Sequence, residues 1–187
     1  MADLRLFIAA EPSDALRRKL DELSGLLSFR GDGVKWVNSG GIHLTLKFLG
    51  AVDEAMVGAI DDAAGRCAHG LGEIRLSVGS VGMFPDARRP RVIWVGLSGD
   101  IERLAGLRDA LEGACSSLGF PTEGRAFRPH LTLGRVKERL STETLKKIEQ
   151  SRDAALGEMT IDHIELIKSE LKPSGAVYTT LSSYPLT

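Results

Sequence analysis

His43-Leu44-Thr45-Leu46 and His130-Leu131-Thr132-Leu133 are two copies of one tetrapeptide motif, with their histidines 87 positions apart. Each copy alternates polar and apolar residues and is rich in strand-forming side chains, which predicts a β-strand. Successive side chains of a strand point to opposite faces, so the histidine and threonine share one face and the leucines share the other. We therefore expect each copy to bury its leucines and to present an imidazole beside a hydroxyl.

The order of predicted elements around the two copies also repeats. Each motif is preceded by a strand and a helix and followed by a helix and a strand, and the 87-residue offset relates strand 4–10 to strand 92–95. Further predicted strands are 34–37, 73–81, 160–168 and 177–182. Ser13, Asp53, Asp100 and Ser141 are the predicted helix N-caps.

This repetition predicts the α+β class: two lobes related by an approximate two-fold axis, from repeat halves at about 1–87 and 88–187. Each half would carry an antiparallel sheet with helices on its outer face, and a cleft would lie between the lobes. A doubly wound parallel sheet is the alternative that alternating strands and helices allow. It ranks second because neither GxGxxG nor GxxxxGK[ST] follows any predicted strand.

The composition is that of an ordinary globular protein. Of 187 residues, 43% are hydrophobic and 26% charged, with a formal net charge of −1, which suits a single domain over 1–187 and excludes a general nucleic-acid coat protein. The sequence lacks both an apolar run of about 18 residues and a signal-peptide pattern, so we expect a cytoplasmic protein without membrane contact. No heptad seam calls for a partner, and we expect a monomer.

Two imidazoles facing one space are suited to in-line displacement at phosphorus. One group must take a proton from the attacking oxygen and another must give a proton to the leaving oxygen, and histidine does both near neutral pH. The hydroxyls of Thr45 and Thr132 can donate hydrogen bonds to phosphate oxygens. Arg135, at the end of the second motif strand, can clamp the same phosphate.

Several further side chains are candidates for substrate contact. The aromatic rings of Trp36 and Phe48 could stack on a base, although an aromatic residue beside a strand is more often part of a core. Arg128 belongs to a basic stretch that precedes the second motif. It could contact phosphate, although basic stretches in a near-neutral protein are commonly solvated surface.

A metal site is the natural rival for paired histidines. Zinc and iron sites draw on a carboxylate, a thiolate or a third histidine, and neither motif carries Asp, Glu or Cys beside its histidine. Cys67 and Cys115 have no metal or redox spacing. We therefore expect neither a metal nor any other cofactor.

The sequence resembles the 2H phosphoesterase superfamily, named for two H-x-T-x motifs, and within it the bacterial and archaeal RNA 2′,3′-cyclic phosphodiesterases, historically called 2′-5′ RNA ligases. The resemblance covers nearly the whole chain. The matching stretches are Arg5 to Ala9, Trp36, His43 to Gly50, Phe84-Pro85, Arg89 to Trp94, Phe127 to Arg135, Ser169 to Leu171, Gly175 and Tyr178.

The resemblance implies a bilobal α+β fold and metal-free opening of a ribose 2′,3′-cyclic phosphate to a 2′-phosphate. It also implies roles: His43 as proton donor and His130 as proton acceptor, which the residues alone do not assign. The same pair acting in reverse would join a cyclic-phosphate end to a 5′-hydroxyl.

Two other functions remain compatible with the sequence. One is a binding module that recognises RNA ends or nucleotides in the same cleft without turnover. The other is a phosphodiesterase for a different cyclic or 2′-5′-linked substrate, which would differ only at the rim of the site.

Overall fold

The computed structural model describes residues 3–173 and 175–187. Within them, nine strands form two antiparallel sheets, and four α-helices pack with the sheets. The strands are β1 (Asp3–Ala10), β2 (Val34–Trp36), β3 (Leu44–Asp53), β4 (Ile74–Phe84), β5 (Val92–Gly99), β6 (His130–Val136), β7 (Ala155–Ile161), β8 (His163–Lys172) and β9 (Gly175–Pro185). The helices are α1 (Asp14–Leu27), α2 (Val57–Ala68), α3 (Ile101–Ser117) and α4 (Thr142–Gln150). The predicted α+β class with two antiparallel sheets is confirmed.

The two sheets exchange strands between the halves of the chain. The four-stranded sheet has the order β3-β1-β8-β9 and the five-stranded sheet the order β2-β6-β5-β4-β7. The motif strands β3 and β6 lie beside β1 and β5, the first strands of their own halves. The next strands, β8 and β4, come from the other half of the chain. The expectation that each half carries its own sheet is therefore wrong.

The helices follow from capping and from apolar periodicity. Ser13 and Ser141 cap α1 and α4 as predicted, each accepting a hydrogen bond from a backbone N–H three residues later. Leu16, Leu20 and Leu27 form the buried stripe of α1. The main hydrophobic core lies between the helices and one face of each sheet and is continuous across both sheets. The leucines of both motifs are buried in it.

Three details differ from the sequence prediction. The predicted strand 160–168 is two strands, because the chain bends at Asp162 and the segments on either side join different sheets. Asp100 does not cap α3 with its side chain, which instead accepts a hydrogen bond from the backbone N–H of Arg75. Thr45 pairs with Ala9 and Thr132 with Trp94, so the first strands correspond at an offset of 85 rather than 87.

No helix in the described part of the chain is both long enough and apolar enough to cross a membrane.

Candidate functional site

The two motif copies lie where the sheets approach each other. Strand β3 of the four-stranded sheet and β6 of the five-stranded sheet come within 8 Å of each other between Cα atoms. His130 is the first residue of β6, as predicted, whereas His43, predicted within its strand, lies directly before β3. We call the face of each sheet opposite the main core its cleft face. Both imidazoles are half-buried.

A β-bulge interrupts each motif strand at the same position. Lys47 pairs with Ile8 while Thr45 pairs with Ala9, which leaves Leu46 as the extra residue of β3. In β6, Gly134 pairs with Ile93 while Thr132 pairs with Trp94, which leaves Leu133 as the extra residue. A bulge shifts the alternation of side chains by one residue, so the residues that follow it change face. In β3 a second bulge, at Leu49, shifts the alternation again after Phe48.

These bulges decide which side chains join the motifs on the cleft face. Strict alternation after Thr45 and Thr132 would turn Phe48 and Arg135 toward the core. The bulges instead place Phe48 opposite Phe7, and Arg135 opposite Val92, on the face that carries the threonines. The same shift takes Lys47 to the core side.

His43 lies over a small second core on the cleft face of the four-stranded sheet. Phe7, Ala9 and Ile167 are buried in this cluster, with Tyr178 packed against it. The His43 ring stacks obliquely on Phe7, 4.6 Å between centroids, and meets Tyr178 edge-on at 5.2 Å. Both rings restrict the orientation of the imidazole.

Arg17 of α1 holds the segment that leads to His43. Its guanidinium donates to the carbonyls of Ser39, at 2.5 Å, and Ile42, at 3.4 Å, and forms an ion pair with Glu11. The side chain is only 12% exposed. These bonds tie the turn before His43 to the first helix, so Arg17 positions the imidazole.

Burial and two nearby cations keep His43 neutral. The pKa of His43 is lowered from 6.5 to about 4, chiefly by burial and then by the charges of Arg17 and Arg135. A hydrogen bond with the Gly41 backbone acts in the opposite direction and raises the pKa. Arg135 belongs to β6 of the other sheet, so charges from both sheets set the electrostatic environment of His43.

His130 is held in one tautomer by a backbone carbonyl. Its Nδ1 lies 2.7 Å from the carbonyl oxygen of Arg128. Since a carbonyl can only accept, Nδ1 carries a proton and the neutral ring presents an unprotonated Nε2. The ring of Phe84 meets the imidazole edge-on at 5.1 Å and itself packs on Trp94.

The remaining sequence-predicted contacts divide into two groups. Phe48 is 63% exposed on the cleft face, Arg128 and Arg135 are exposed, and Arg135 has no ion-pair partner among the described residues. Trp36 differs, because it pairs with Gly134 on the core side of β6 and its indole N–H donates to Asp32 at 2.8 Å. Trp36 therefore packs against the core, on the side of the sheet opposite the cleft face.

Two cationic residues of the site were missed by sequence reasoning. Arg17 lies on a helix with no motif around it, and only its bonds to the turn before His43 reveal it. Lys35 lies beside Arg135 across β2 and β6. Its position next to Trp36 in a predicted strand was a usable signal, since alternation places Lys35 on the face opposite Trp36.

No group of three or more His, Cys, Asp or Glu side chains converges as a metal site within residues 3–173 and 175–187.

The sequence profile of one protein family, described as the 2′-5′ RNA ligase superfamily, matches residues 10–173, a span that includes both motifs. The chain belongs to this superfamily. The resemblance inferred from the motifs is thereby confirmed.

Named relatives in the superfamily match almost end to end. A Thermotoga maritima protein named RNA 2′,3′-cyclic phosphodiesterase is 33% identical over 178 residues, covering 95% of this chain and 93% of its own. An Archaeoglobus fulgidus protein of the same name is 34% identical over 184 residues, covering 95% of this chain and 98% of its own.

Solved structures share the superfamily fold over the whole chain. A Thermus thermophilus protein is 28% identical with a TM-score of 0.80, covering 97% of both chains. Escherichia coli LigT, crystallised with 3′-AMP, is 24% identical with a TM-score of 0.82 and 99% coverage of both chains, a likeness of fold.

Proposed function

We propose that this protein is a hydrolase that opens the 2′,3′-cyclic phosphate of RNA ends or nucleotides to a 2′-phosphate, without a metal ion. The observation that carries the proposal is that β3 and β6, the strands of the two His-x-Thr motifs, belong to different sheets and yet come within 8 Å of each other between Cα atoms. Arg135 lies on the same face as Thr132, and its charge lowers the pKa of His43. The relatives named RNA 2′,3′-cyclic phosphodiesterase support the same activity.

In the proposed reaction His130 is the proton acceptor. Its unprotonated Nε2 takes a proton from water as the water oxygen forms a bond to phosphorus, while the Nδ1–H bond to Arg128 holds the ring in place. The bond from phosphorus to O3′ breaks, and His43 gives its proton to O3′. Thr45, Thr132 and Arg135 bind the non-bridging oxygens as charge develops on them.

His43 must gain its proton when the substrate binds. In the free protein its pKa of about 4 keeps the imidazole neutral at pH 7. An anionic phosphate beside Arg135 offsets the positive charge that disfavours the imidazolium form of His43. The negative charge of the phosphate also stabilises imidazolium directly, so substrate binding raises the pKa of His43. The substrate thus prepares the acid that cleaves it.

We also propose 2′-5′ ligation as a secondary activity, in which a 5′-hydroxyl replaces water as the nucleophile. His130 takes the hydroxyl proton as O5′ forms a bond to phosphorus, the bond from phosphorus to O3′ breaks, and His43 gives its proton to O3′. The ester to O2′ remains, so the product carries a 2′-5′ linkage.

Alanine substitution of either histidine tests the proposal. His43→Ala and His130→Ala should each lower kcat for a 2′,3′-cyclic nucleotide by about a hundredfold or more, because each removes one proton transfer. His69→Ala is the matched control, since that exposed histidine ends α2 far from the motifs in sequence. A chelator should leave turnover unchanged.

A substrate panel separates the proposal from its alternatives. Cyclic mononucleotides, RNA ending in a cyclic phosphate and 2′-5′ dinucleotides are each incubated with the protein, and the products are identified by chromatography. Full activity in either histidine variant would contradict the mechanism. Binding of the cyclic nucleotide that remains unchanged after long incubation would indicate a binding module.

A further inference from the structure

Two cationic side chains stand directly opposite each other at the rim of the site. In the register of β2 and β6, Lys35 pairs with Arg135, and the neighbouring pair is Trp36 with Gly134. Because Trp36 packs on the core side, alternation places Lys35 on the cleft face together with Arg135. Side chains directly opposite on one face lie about 5 Å apart at Cβ, so both cations can reach one anion between them.

This pair of like charges has no compensating partner in the described residues. The ion pairs of residues 3–173 and 175–187 do not include Lys35 or Arg135. The carboxylate of Asp32 is engaged elsewhere, by the N–H groups of Phe29, Val34 and Trp36. Like charges opposite each other destabilise a strand pair, and an anion between them removes that cost.

A third cation extends the row along the strand. Lys137 lies two residues after Arg135, so it shares the cleft face, and its backbone N–H bonds to the carbonyl of Gly33 just before β2. Lys35 and Lys137 are exposed. Since the whole chain carries a formal charge of −1, this row is a local concentration of positive charge rather than a general property.

We propose that Lys35, together with Arg135 and Lys137, forms a second phosphate subsite that binds the phosphodiester on the 5′ side of the terminal nucleoside of an RNA chain. The proposal rests on the proposed function, in which Arg135 holds the cyclic phosphate. Lys35 lies on β2, directly beside the strand that carries His130 and Arg135, and we assign the next phosphate of an oligonucleotide to it. A cyclic mononucleotide has no such phosphate, so the subsite favours RNA ends over free nucleotides.

Binding of two product-like ligands tests the subsite without requiring turnover. Adenosine 2′-monophosphate and the dinucleotide ApA ending in a 2′-phosphate differ by one nucleoside and one phosphodiester. Calorimetric titration should show tighter binding of the dinucleotide, and Lys35→Gln should weaken dinucleotide binding about tenfold more than mononucleotide binding. The salt dependence of dinucleotide binding should also fall, by a log–log slope of about 0.7.

Matched variants make the outcome specific. Lys146→Gln removes an exposed lysine of α4, outside the cleft face, and should preserve the preference. Lys35→Arg should also retain it. Equal weakening of both ligands by Lys35→Gln, or no weakening of either, would overturn the subsite. Failure of the wild-type protein to open adenosine 2′,3′-cyclic phosphate would instead refute the proposed function. That result is independent of the ratio of the two binding constants.

Discussion

His43 shows how strongly the fold controls the charge of one side chain. Its imidazole is enclosed by Phe7 and Tyr178 and lies near Arg17 and Arg135. Burial, followed by these two charges, lowers its pKa to about 4, so neutral imidazole is the resting state near pH 7.

Removing the charge of Arg17 should raise the pKa of His43 from about 4 toward its ordinary value of 6.5. The substitution Arg17→Gln deletes a cation and loosens the turn before His43, and both changes favour imidazolium. Titration of the His43 ring resonances by NMR measures the shift. Arg18→Gln, at an exposed neighbouring position of α1, is the control and should leave that pKa unchanged. An unaltered His43 pKa in Arg17→Gln would contradict the assignment.

The same depressed pKa makes folding stability depend on pH. Between about pH 4 and 6.5 the unfolded chain binds a proton at His43 that the folded protein does not. The contribution of neutral His43 is therefore complete above pH 6.5 and is lost as the pH falls toward 4. Comparing the unfolding free energies of wild type and His43→Gln across this range should show a smaller pH dependence in the variant. A dependence that is identical in both proteins would exclude the effect.

The β-bulges at Leu46 and Leu133 are the elements that assemble the site. They turn Phe48 and Arg135 to the cleft face, and since these two residues hold equivalent positions after the two motifs, they make the two sides chemically different. One side offers an aromatic ring and the other a guanidinium.

Gly134 allows β2 to approach the second motif strand closely. A Cβ at this position would lie 2.6 Å from Val34 Cγ1 and 3.2 Å from the Trp36 ring. Gly134→Ala should therefore lower the free energy of unfolding by about 1–3 kcal/mol, as overpacking does. Gly106→Ala, in an open position of α3, should instead raise it by about 0.5–1 kcal/mol. Chemical denaturation measures both, and equal effects would contradict the packing argument.

Lys47 joins β3 to α3 through a buried ion pair. Its Nζ lies 2.5 Å from Glu112 and 2.7 Å from the carbonyl of Pro121, and the side chains of Lys47 and Glu112 are 3% and 11% exposed. Burial raises the pKa of Glu112, but its hydrogen bonds to Lys47 and to the Glu123 backbone, with the charges of Lys47 and Arg108, hold the net pKa below its usual value.

Breaking this pair should strongly destabilise the protein. Lys47→Met removes the closer of the two cations that pair with the buried carboxylate of Glu112, leaving Arg108 at 3.5 Å, and should cost about 3 kcal/mol of unfolding free energy. Lys47→Met with Glu112→Leu should recover much of the loss. Because the folded-state pKa of Glu112 is lowered, its contribution is present above the ordinary carboxyl pKa and disappears as the pH falls through the folded value. A double variant no more stable than the single variant would contradict this account.

The two halves of the chain depend on each other for their sheets. Strand β4 completes the sheet that begins with β5 and β6, and β8 completes the sheet that begins with β1 and β3. Each half pairs some of its own strands, but neither half can complete either sheet without strands from the other.

Separate fragments 1–87 and 88–187 should each fail to fold. Each would expose the strand edges and the apolar faces that the other half covers. Circular dichroism and urea titration of the isolated fragments should show no cooperative transition, while mixing them should restore one. Cooperative unfolding of either fragment alone would contradict the dependence.

The local elements and the candidate catalytic residues can be predicted from the amino-acid sequence alone. Alternation fixed which face of each motif strand carries His and Thr, and capping and periodicity located α1 and α4, because these signals act over a few neighbouring residues. Other features emerge only when the chain is folded. They are the exchange of strands between the halves, the faces on which Phe48 and Arg135 lie, the position of Trp36 and the charge of His43. Each depends on a partner that is distant in the chain, such as Ile8 for the bulge beside Lys47 or Arg135 for His43, and the local pattern contains no signal of that partner.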